Sequence, residues 1–123
     1  MPHLTLEYTD NITIRPDFKD LFLKLHTLLN KLAGAELASC KSRALELKEY
    51  IIGDGSQNHA FVHLNISLLA GRSQSIKEKI GNTALQLLEE HFRNAYQQKA
   101  LQLTVKIQDM PVELYFKTIQ ALN

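Results

Sequence analysis

The sequence predicts an α+β fold in which two strand-helix-strand units form a four-stranded sheet with two helices on one face. Three observations support this prediction. The hydrophobic periodicities follow the order strand, helix, strand, strand, helix, strand. The two units, residues 2–52 and 60–108, have similar lengths. Each helical segment carries one apolar stripe, so both helices can cover the same face of a sheet.

Length and composition are typical of a small globular protein. The 123 residues are expected to form one domain, residues 1–123, because domains average roughly 150 residues. Fourteen Lys and Arg against thirteen Asp and Glu exclude the strongly basic character of dedicated nucleic-acid binders. No basic leader or long apolar run is seen, so neither export nor a membrane partner is expected. The single Cys40 cannot form an intrachain disulfide, which favours a cytoplasmic location.

The first unit begins with apolar residues that alternate over residues 4–8, which predicts a strand starting at residue 2. Over residues 18–32 the apolar residues recur at spacings of three and four. This spacing predicts a helix of about seventeen residues that ends at Gly34. Between Cys40 and Ile52 the alternation changes phase, which predicts a second strand with a bulge.

The second unit follows a turn at residues 53–56, which predicts a hairpin joining the second and third strands. Residues 61–68 alternate cleanly and predict the third strand. Ser75 and Glu78 have the spacing of a capping box, so the second helix is expected to begin near them. Alternation over residues 101–107 predicts the fourth strand.

Periodicity does not determine which strands pair. The units could interleave, as in ferredoxin-like folds, or each unit could keep its own two strands parallel and adjacent. The sheet face away from the helices would carry a mixture of polar and aromatic side chains. That mixture fits either a subunit interface or a solvated face. The residues concerned are Thr5, Phe61, His63, Asn65 and Thr104.

Pro2 is the first candidate for chemistry. Removal of Met1 would leave its nitrogen as a secondary amine, and an α-amino group ordinarily has a pKa of about 7.7–8.0. Burial beside cations would lower that pKa, and a shift of about two units corresponds to roughly 2.7 kcal/mol. Pro2 could then act as a general base near neutrality. The alternative is a proline that only begins an edge strand.

Other titratable groups give weaker signals. His59 and His63 would lie about 13 Å apart along a strand, too far to share one metal ion, so no metal site is predicted. Cys40 has no His or Asp partner at a recognisable spacing and is expected to be a buried thiol.

Several segments together resemble one enzyme family, in order and at matching spacing. They are residues 2–7, 9–12, 41–43, 60–64, 71–73 and 116–117. The combination resembles the 5-carboxymethyl-2-hydroxymuconate delta-isomerase family of the tautomerase superfamily. The resemblance covers essentially the whole chain.

The resemblance implies a homotrimer whose sheets pack around a threefold axis, with active sites near subunit contacts. It also implies a cofactor-free conversion of a small carboxylate substrate, a dienol, to an unsaturated ketone during bacterial breakdown of homoprotocatechuate. Pro2 would shuttle the proton, and Arg72 and Arg43 would hold substrate carboxylates. Lys41 stands where the family pattern has an arginine.

The lysine matters because an ammonium is a point charge, whereas a guanidinium can bind a carboxylate through two parallel bonds. Lys41 would therefore orient the substrate less well and could shift its specificity. Arg72 could instead be a surface residue near a helix, and Arg43 an ion-pair partner on a strand.

Two other functions stay open at this stage. One is a noncatalytic α+β oligomer that binds a small acidic metabolite or a protein partner. A ferredoxin-like sheet, or a retained Met1, would favour it. The other keeps the fold and the base but acts on a smaller α-keto acid.

Overall fold

The computed structural model describes residues 1–56, 59–97 and 100–122. Two helices and four strands follow one another in the predicted order, which confirms the α+β class. They are β1 (His3–Thr9), α1 (Phe18–Ala33), β2 (Lys41–Leu47), β3 (His59–Leu69), α2 (Gln74–His91) and β4 (Ala100–Met110). Short 3-10 turns lie at Leu37–Ser39, Arg93–Gln97 and Val112–Leu114.

The strands form one sheet in the order β2-β1-β3-β4. Within each unit the two strands are parallel neighbours, while β1 and β3 are antiparallel. The sheet therefore has the adjacent arrangement and not the interleaved one. The predicted hairpin between β2 and β3 is wrong, because β1 lies between them. Gly53 and Gly55 do turn the chain, with φ of 58° and 85°, but the chain then crosses to the other side of β1.

β2 is also shorter than predicted and has no bulge. Its register with β1 is continuous, from His3 opposite Lys41 to Thr9 opposite Leu47. Tyr50 lies beyond the strand and contacts Phe61 edge to face, with ring centroids 6.5 Å apart. The change of phase in the sequence therefore marks the end of the strand.

The helix ends show why these segments stop where they do. Asp17 caps α1 by accepting hydrogen bonds from two backbone N–H groups, and Gly34 ends it at φ 69°, as predicted. The second helix begins at Gln74, near the predicted place, but its cap is Ser73, which accepts from the N–H of Ile76, and not the Ser75 of the capping-box spacing. Within the described ranges, neither helix combines the length and the apolar character needed to cross a membrane.

The core lies between the helices and one face of the sheet. Every second residue of β1 and β3 is buried there, which confirms the faces predicted by the alternation. Burial of each leucine contributes about 1.5–3 kcal/mol. The largest fully buried side chains include Leu4, Leu6, Leu21, Leu25, Leu29, Leu64, Ile66, Ile80 and Leu88. Cys40 is buried as predicted, and burial raises the pKa of its thiol.

The strand directions bring distant parts of the chain to one end of the sheet, here called the Pro2 edge. It is formed by the starts of β1 and β2 and the ends of β3 and β4. The segment that follows β4 returns to this edge, where Tyr115 contacts His3. Candidate site residues from both termini therefore meet at the Pro2 edge.

Candidate active site

The start of the chain is held against the residues that precede β2. Pro2 is buried, and its carbonyl accepts a hydrogen bond from the Lys41 N–H at 3.1 Å. The Met1 α-ammonium donates to the Ser39 carbonyl at 2.7 Å, and the Ser39 hydroxyl donates to the Met1 carbonyl at 3.3 Å. These contacts fix the position of Pro2 before β1 begins.

The electrostatic environment at this point is positive. Burial is the largest cause that lowers the pKa of the Met1 α-ammonium, and the charges of Lys41 and Lys117 lower it further. The Lys41 ammonium donates to the same Ser39 carbonyl, at 3.0 Å, so two cations share one acceptor. An amine placed here is therefore easier to deprotonate than one in water.

Arg43 lies on the open face of β2, two residues along from Lys41. Its guanidinium contacts His3 Nδ1 at 2.8 Å and Thr5 Oγ1 at 3.5 Å. The Nε2 atom of His3 lies 3.1 Å from the Tyr115 hydroxyl. Arg43 is thus connected through His3 to the segment that follows β4.

Arg72 joins two structural elements at the same end of the sheet. It donates to the Leu69 carbonyl at the end of β3, at 2.9 Å, and to the Ala33 carbonyl at the end of α1, at 3.0 Å. The last carbonyls of a helix lack partners within the helix, so this bond stabilises the end of α1. Two of the five N–H groups of Arg72 therefore bind the main chain.

The four residues singled out in the sequence occupy different positions at the Pro2 edge. Pro2 and Lys41 are hydrogen-bonded neighbours, Arg43 faces the open side of the sheet, and Arg72 is half-buried against the main chain. Sequence reasoning gave no role to His3 or Tyr115. The register of β1 and β2 places His3 on the same face as Arg43, but no periodicity in the sequence signals where Tyr115 lies.

The rest of the described structure offers weaker candidates for a site than the Pro2 edge does. An open groove of about 350 Å³ lies between α2 and β4, but its lining cation, Lys77, is paired with Asp109 at 3.1 Å. Among the described residues, no three His, Cys, Asp or Glu side chains are grouped so that they could hold a metal ion.

Comparison with known proteins identifies the family. The profile of the 5-carboxymethyl-2-hydroxymuconate isomerase family matches residues 2–121. The chain belongs to this family. It is 30% identical over 117 residues to the 5-carboxymethyl-2-hydroxymuconate Delta-isomerase of Escherichia coli, a match that covers 95% of this chain and 93% of the relative. The resemblance found in the sequence is confirmed, and the protein is an isomerase of the tautomerase superfamily.

Solved structures of the 5-carboxymethyl-2-hydroxymuconate isomerase family have the same fold. The isomerase from Deinococcus radiodurans R1 is 34% identical, with a TM-score of 0.86 over 97% of this chain and 90% of that one. A second 5-carboxymethyl-2-hydroxymuconate delta-isomerase is 23% identical, with a TM-score of 0.81 over 98% and 89%. A symmetric trimer of fused 4-OT is 20% identical, with a TM-score of 0.68 over 89% and 85%, and shares the fold.

Proposed function

We propose that this isomerase ketonises a 2-hydroxymuconate-type dienol such as 5-carboxymethyl-2-hydroxymuconate, with Pro2 as the general base once Met1 has been removed. The observation that carries the proposal is the buried position of Pro2 at an edge where Lys41 and Lys117 make the environment positive. The name of the Escherichia coli relative supports the substrate class.

The proposed reaction moves one proton and needs no cofactor. The Pro2 nitrogen takes the proton from the 2-hydroxyl group, and the O–H electron pair forms the ketone C=O. The double bonds shift along the conjugated chain, and the protonated Pro2 delivers the same proton to a distant carbon. One O–H bond is broken and one C–H bond is formed, so there is no net oxidation or reduction.

The cations would have two roles in this reaction. Lys41, Arg43 and Arg72 hold the substrate carboxylates, and their charges stabilise the dienolate as it forms. The same charges keep the Pro2 amine unprotonated. Main-chain bonds fix the plane of the Arg72 guanidinium and leave three of its N–H groups for a carboxylate.

We also propose that the working form is a cytoplasmic homotrimer in bacterial aromatic catabolism. Two findings support the trimer: the fused 4-OT relative is a symmetric trimer, and the open sheet face carries mixed side chains such as Phe61 and His63. The noncatalytic alternative loses support, because the sheet order is not ferredoxin-like and the curated relative is an isomerase.

The deciding experiment is ketonisation of 5-carboxymethyl-2-hydroxymuconate, followed by ultraviolet absorbance, on protein whose loss of Met1 is verified by mass spectrometry. An alanine inserted before Pro2 converts its nitrogen to an amide. This change is expected to lower kcat by about 10²- to 10⁴-fold, the usual contribution of a general base. Pro2→Gly replaces the secondary amine by a primary one and is also expected to lower kcat.

Pro16→Ala is the matched control, because it changes a proline outside the Pro2 edge and should leave kcat unchanged. Circular dichroism checks that every variant keeps its fold. Undiminished turnover by the extended chain would reject Pro2 as the base.

A further inference from the structure

The contacts of His3 determine which of its ring nitrogens carries hydrogen. Arg43 Nη2 lies 2.8 Å from Nδ1, and a guanidinium can only donate. Nδ1 must therefore accept and carries no hydrogen. A neutral imidazole then has its hydrogen on Nε2, and this N–H donates to the Tyr115 hydroxyl oxygen 3.1 Å away.

Because His3 Nε2 is the donor in its bond to Tyr115, the hydrogen of the Tyr115 hydroxyl is not donated to His3. Arg43 donates to His3, and His3 donates to Tyr115, so the hydroxyl keeps its own hydrogen available for a different acceptor. A second guanidinium nitrogen of Arg43 donates to the Thr5 hydroxyl at 3.5 Å. Arg43, His3 and Tyr115 therefore form a chain of hydrogen bonds that runs in one direction and ends at the Tyr115 hydroxyl, a hydrogen-bond donor.

The charges around His3 indicate what that acceptor is. Burial is the largest cause that lowers the pKa of His3, and the charges of Arg43, the amino terminus and Lys41 lower it further. The residue opposite His3 on β3 is the uncharged Ser67. A donor in this positive environment fits an anionic oxygen, and the lowered pKa favours the neutral form of His3.

We propose that Tyr115 is a substrate-binding residue whose hydroxyl donates to a substrate carboxylate, and that His3 is a positioning residue that fixes the direction of this hydroxyl and of Arg43. The inference rests on the proposed function for its substrate and adds a recognition point from the segment that follows β4. It gives roles to two residues that the sequence left without one.

The first test needs no substrate. Nitrogen-15 NMR of the His3 ring at pH 7.5 should show hydrogen on Nε2 and none on Nδ1. On titration the ring should protonate below the ordinary value of about 6.5 for histidine. Hydrogen on Nδ1 would mean that the hydrogen bonds between Arg43, His3 and Tyr115 do not run in the direction inferred above. That result would overturn the proposal, whatever the substrate of the enzyme is.

The second test is kinetic. Tyr115→Phe removes only the hydroxyl and should raise KM for 5-carboxymethyl-2-hydroxymuconate about tenfold, as for a hydrogen bond to a charged group, with kcat changed less than about twofold. Tyr50→Phe is the matched control at the opposite end of the sheet and should leave KM unchanged. An unchanged KM in Tyr115→Phe would overturn the substrate contact.

Variants of His3 separate positioning from packing. His3→Leu should raise KM as much as Tyr115→Phe, and the double variant should be no worse than either single one. His3→Gln keeps a donor and an acceptor that do not titrate, so it should restore the low KM and remove any rise in KM at acidic pH. Multiplying effects in the double variant would show that His3 does not act through Tyr115.

The two proposals fail in different ways. If the unaltered protein does not turn over the dienol, the proposed function fails, and Tyr115 is then tested with pimelate, a saturated dicarboxylate. A roughly tenfold weaker Kd for pimelate in Tyr115→Phe, but not in Tyr50→Phe, would support the recognition point. Equal Kd values, or no binding to the unaltered protein, would overturn it.

Discussion

The two strand-helix-strand units have the same strand pairing but different residues where their second strands begin. Lys41 and Arg43 lie opposite the first and third residues of β1. Ala100 and Gln102 occupy the equivalent positions opposite β3. The scaffold is thus repeated, whereas these two cations of the first unit have uncharged counterparts in the second. In this chain the same strand pairing therefore carries cations in one unit and uncharged residues in the other.

The two units differ in these cations but not in the hydrophobic core, because both supply buried side chains to it. Leu6 of β1 lies opposite Leu64 of β3, and both side chains are fully buried. The antiparallel contact between β1 and β3 joins the units into one sheet. We therefore expect stability to be shared between the units, while activity depends mainly on the first.

The largest expected effect tests whether both units contribute to the stability of the fold. Leu6→Ala and Leu64→Ala should each lower the free energy of unfolding by about 2–5 kcal/mol, because each leaves a cavity in the same core. Urea unfolding at one fixed protein concentration measures this. Leu45→Ala, at a half-exposed position, should cost much less. A cost below about 1 kcal/mol for only one of the buried pair would show that the units are not equivalent in stability.

The next largest effect tests whether activity depends on the cations that only the first unit has at the start of its second strand. Lys41→Ala and Arg43→Ala should each lower kcat/KM about 10- to 100-fold, the range for a lost charge-assisted hydrogen bond. Gln102→Ala, at the position equivalent to Arg43, should leave kcat/KM within about twofold, like most surface substitutions. Lys41→Arg should increase kcat/KM, because the planar guanidinium orients a carboxylate better. A loss in Gln102→Ala equal to that in Arg43→Ala would contradict the comparison.

The smallest effect concerns pH. A general base must be unprotonated, so kcat/KM should fall as the pH drops through the pKa of the Pro2 amine. Burial and the Lys41 charge lower the pKa of the Met1 α-ammonium at this edge, and we expect the same effect on a Pro2 amine. Lys41→Ala should therefore raise the Pro2 pKa and move the acidic limb of the profile to higher pH. Gln102→Ala should not move it. A shift towards lower pH would show that Lys41 does not act through its charge.

The sequence predicted the elements and their buried faces well but not the strand neighbours. Alternation reports which side chains share a face, and this was confirmed for β1, β3 and β4. It does not report the partner of a strand, so the turn at residues 53–56 predicts a hairpin that the sheet does not contain. Ser75 has the capping-box partner Glu78 and Ser73 has none, yet α2 is capped by Ser73, where the backbone is extended before the first helical turn.

The candidate site was predictable only where residues lie on strands or match the family. Pro2, Lys41 and Arg43 could be found because the strand starts are clear and the family resemblance covers them. Arg72 could also be found, but its bonds to Leu69 and Ala33 depend on where α1 and β3 end in space. Tyr115 lies in an irregular segment, and no local pattern determines where such a segment packs.

The return of residues 115–117 to the start of β1 has a consequence for how the protein is made. Translation produces Pro2 first and Tyr115 more than a hundred residues later, so all four strands exist before the contact with His3 can form. A chain cut after Met110 would keep the whole sheet yet lack one wall of the Pro2 edge. If Tyr115 binds the substrate as proposed, the recognition site is therefore completed only after every sheet-forming residue has been synthesised.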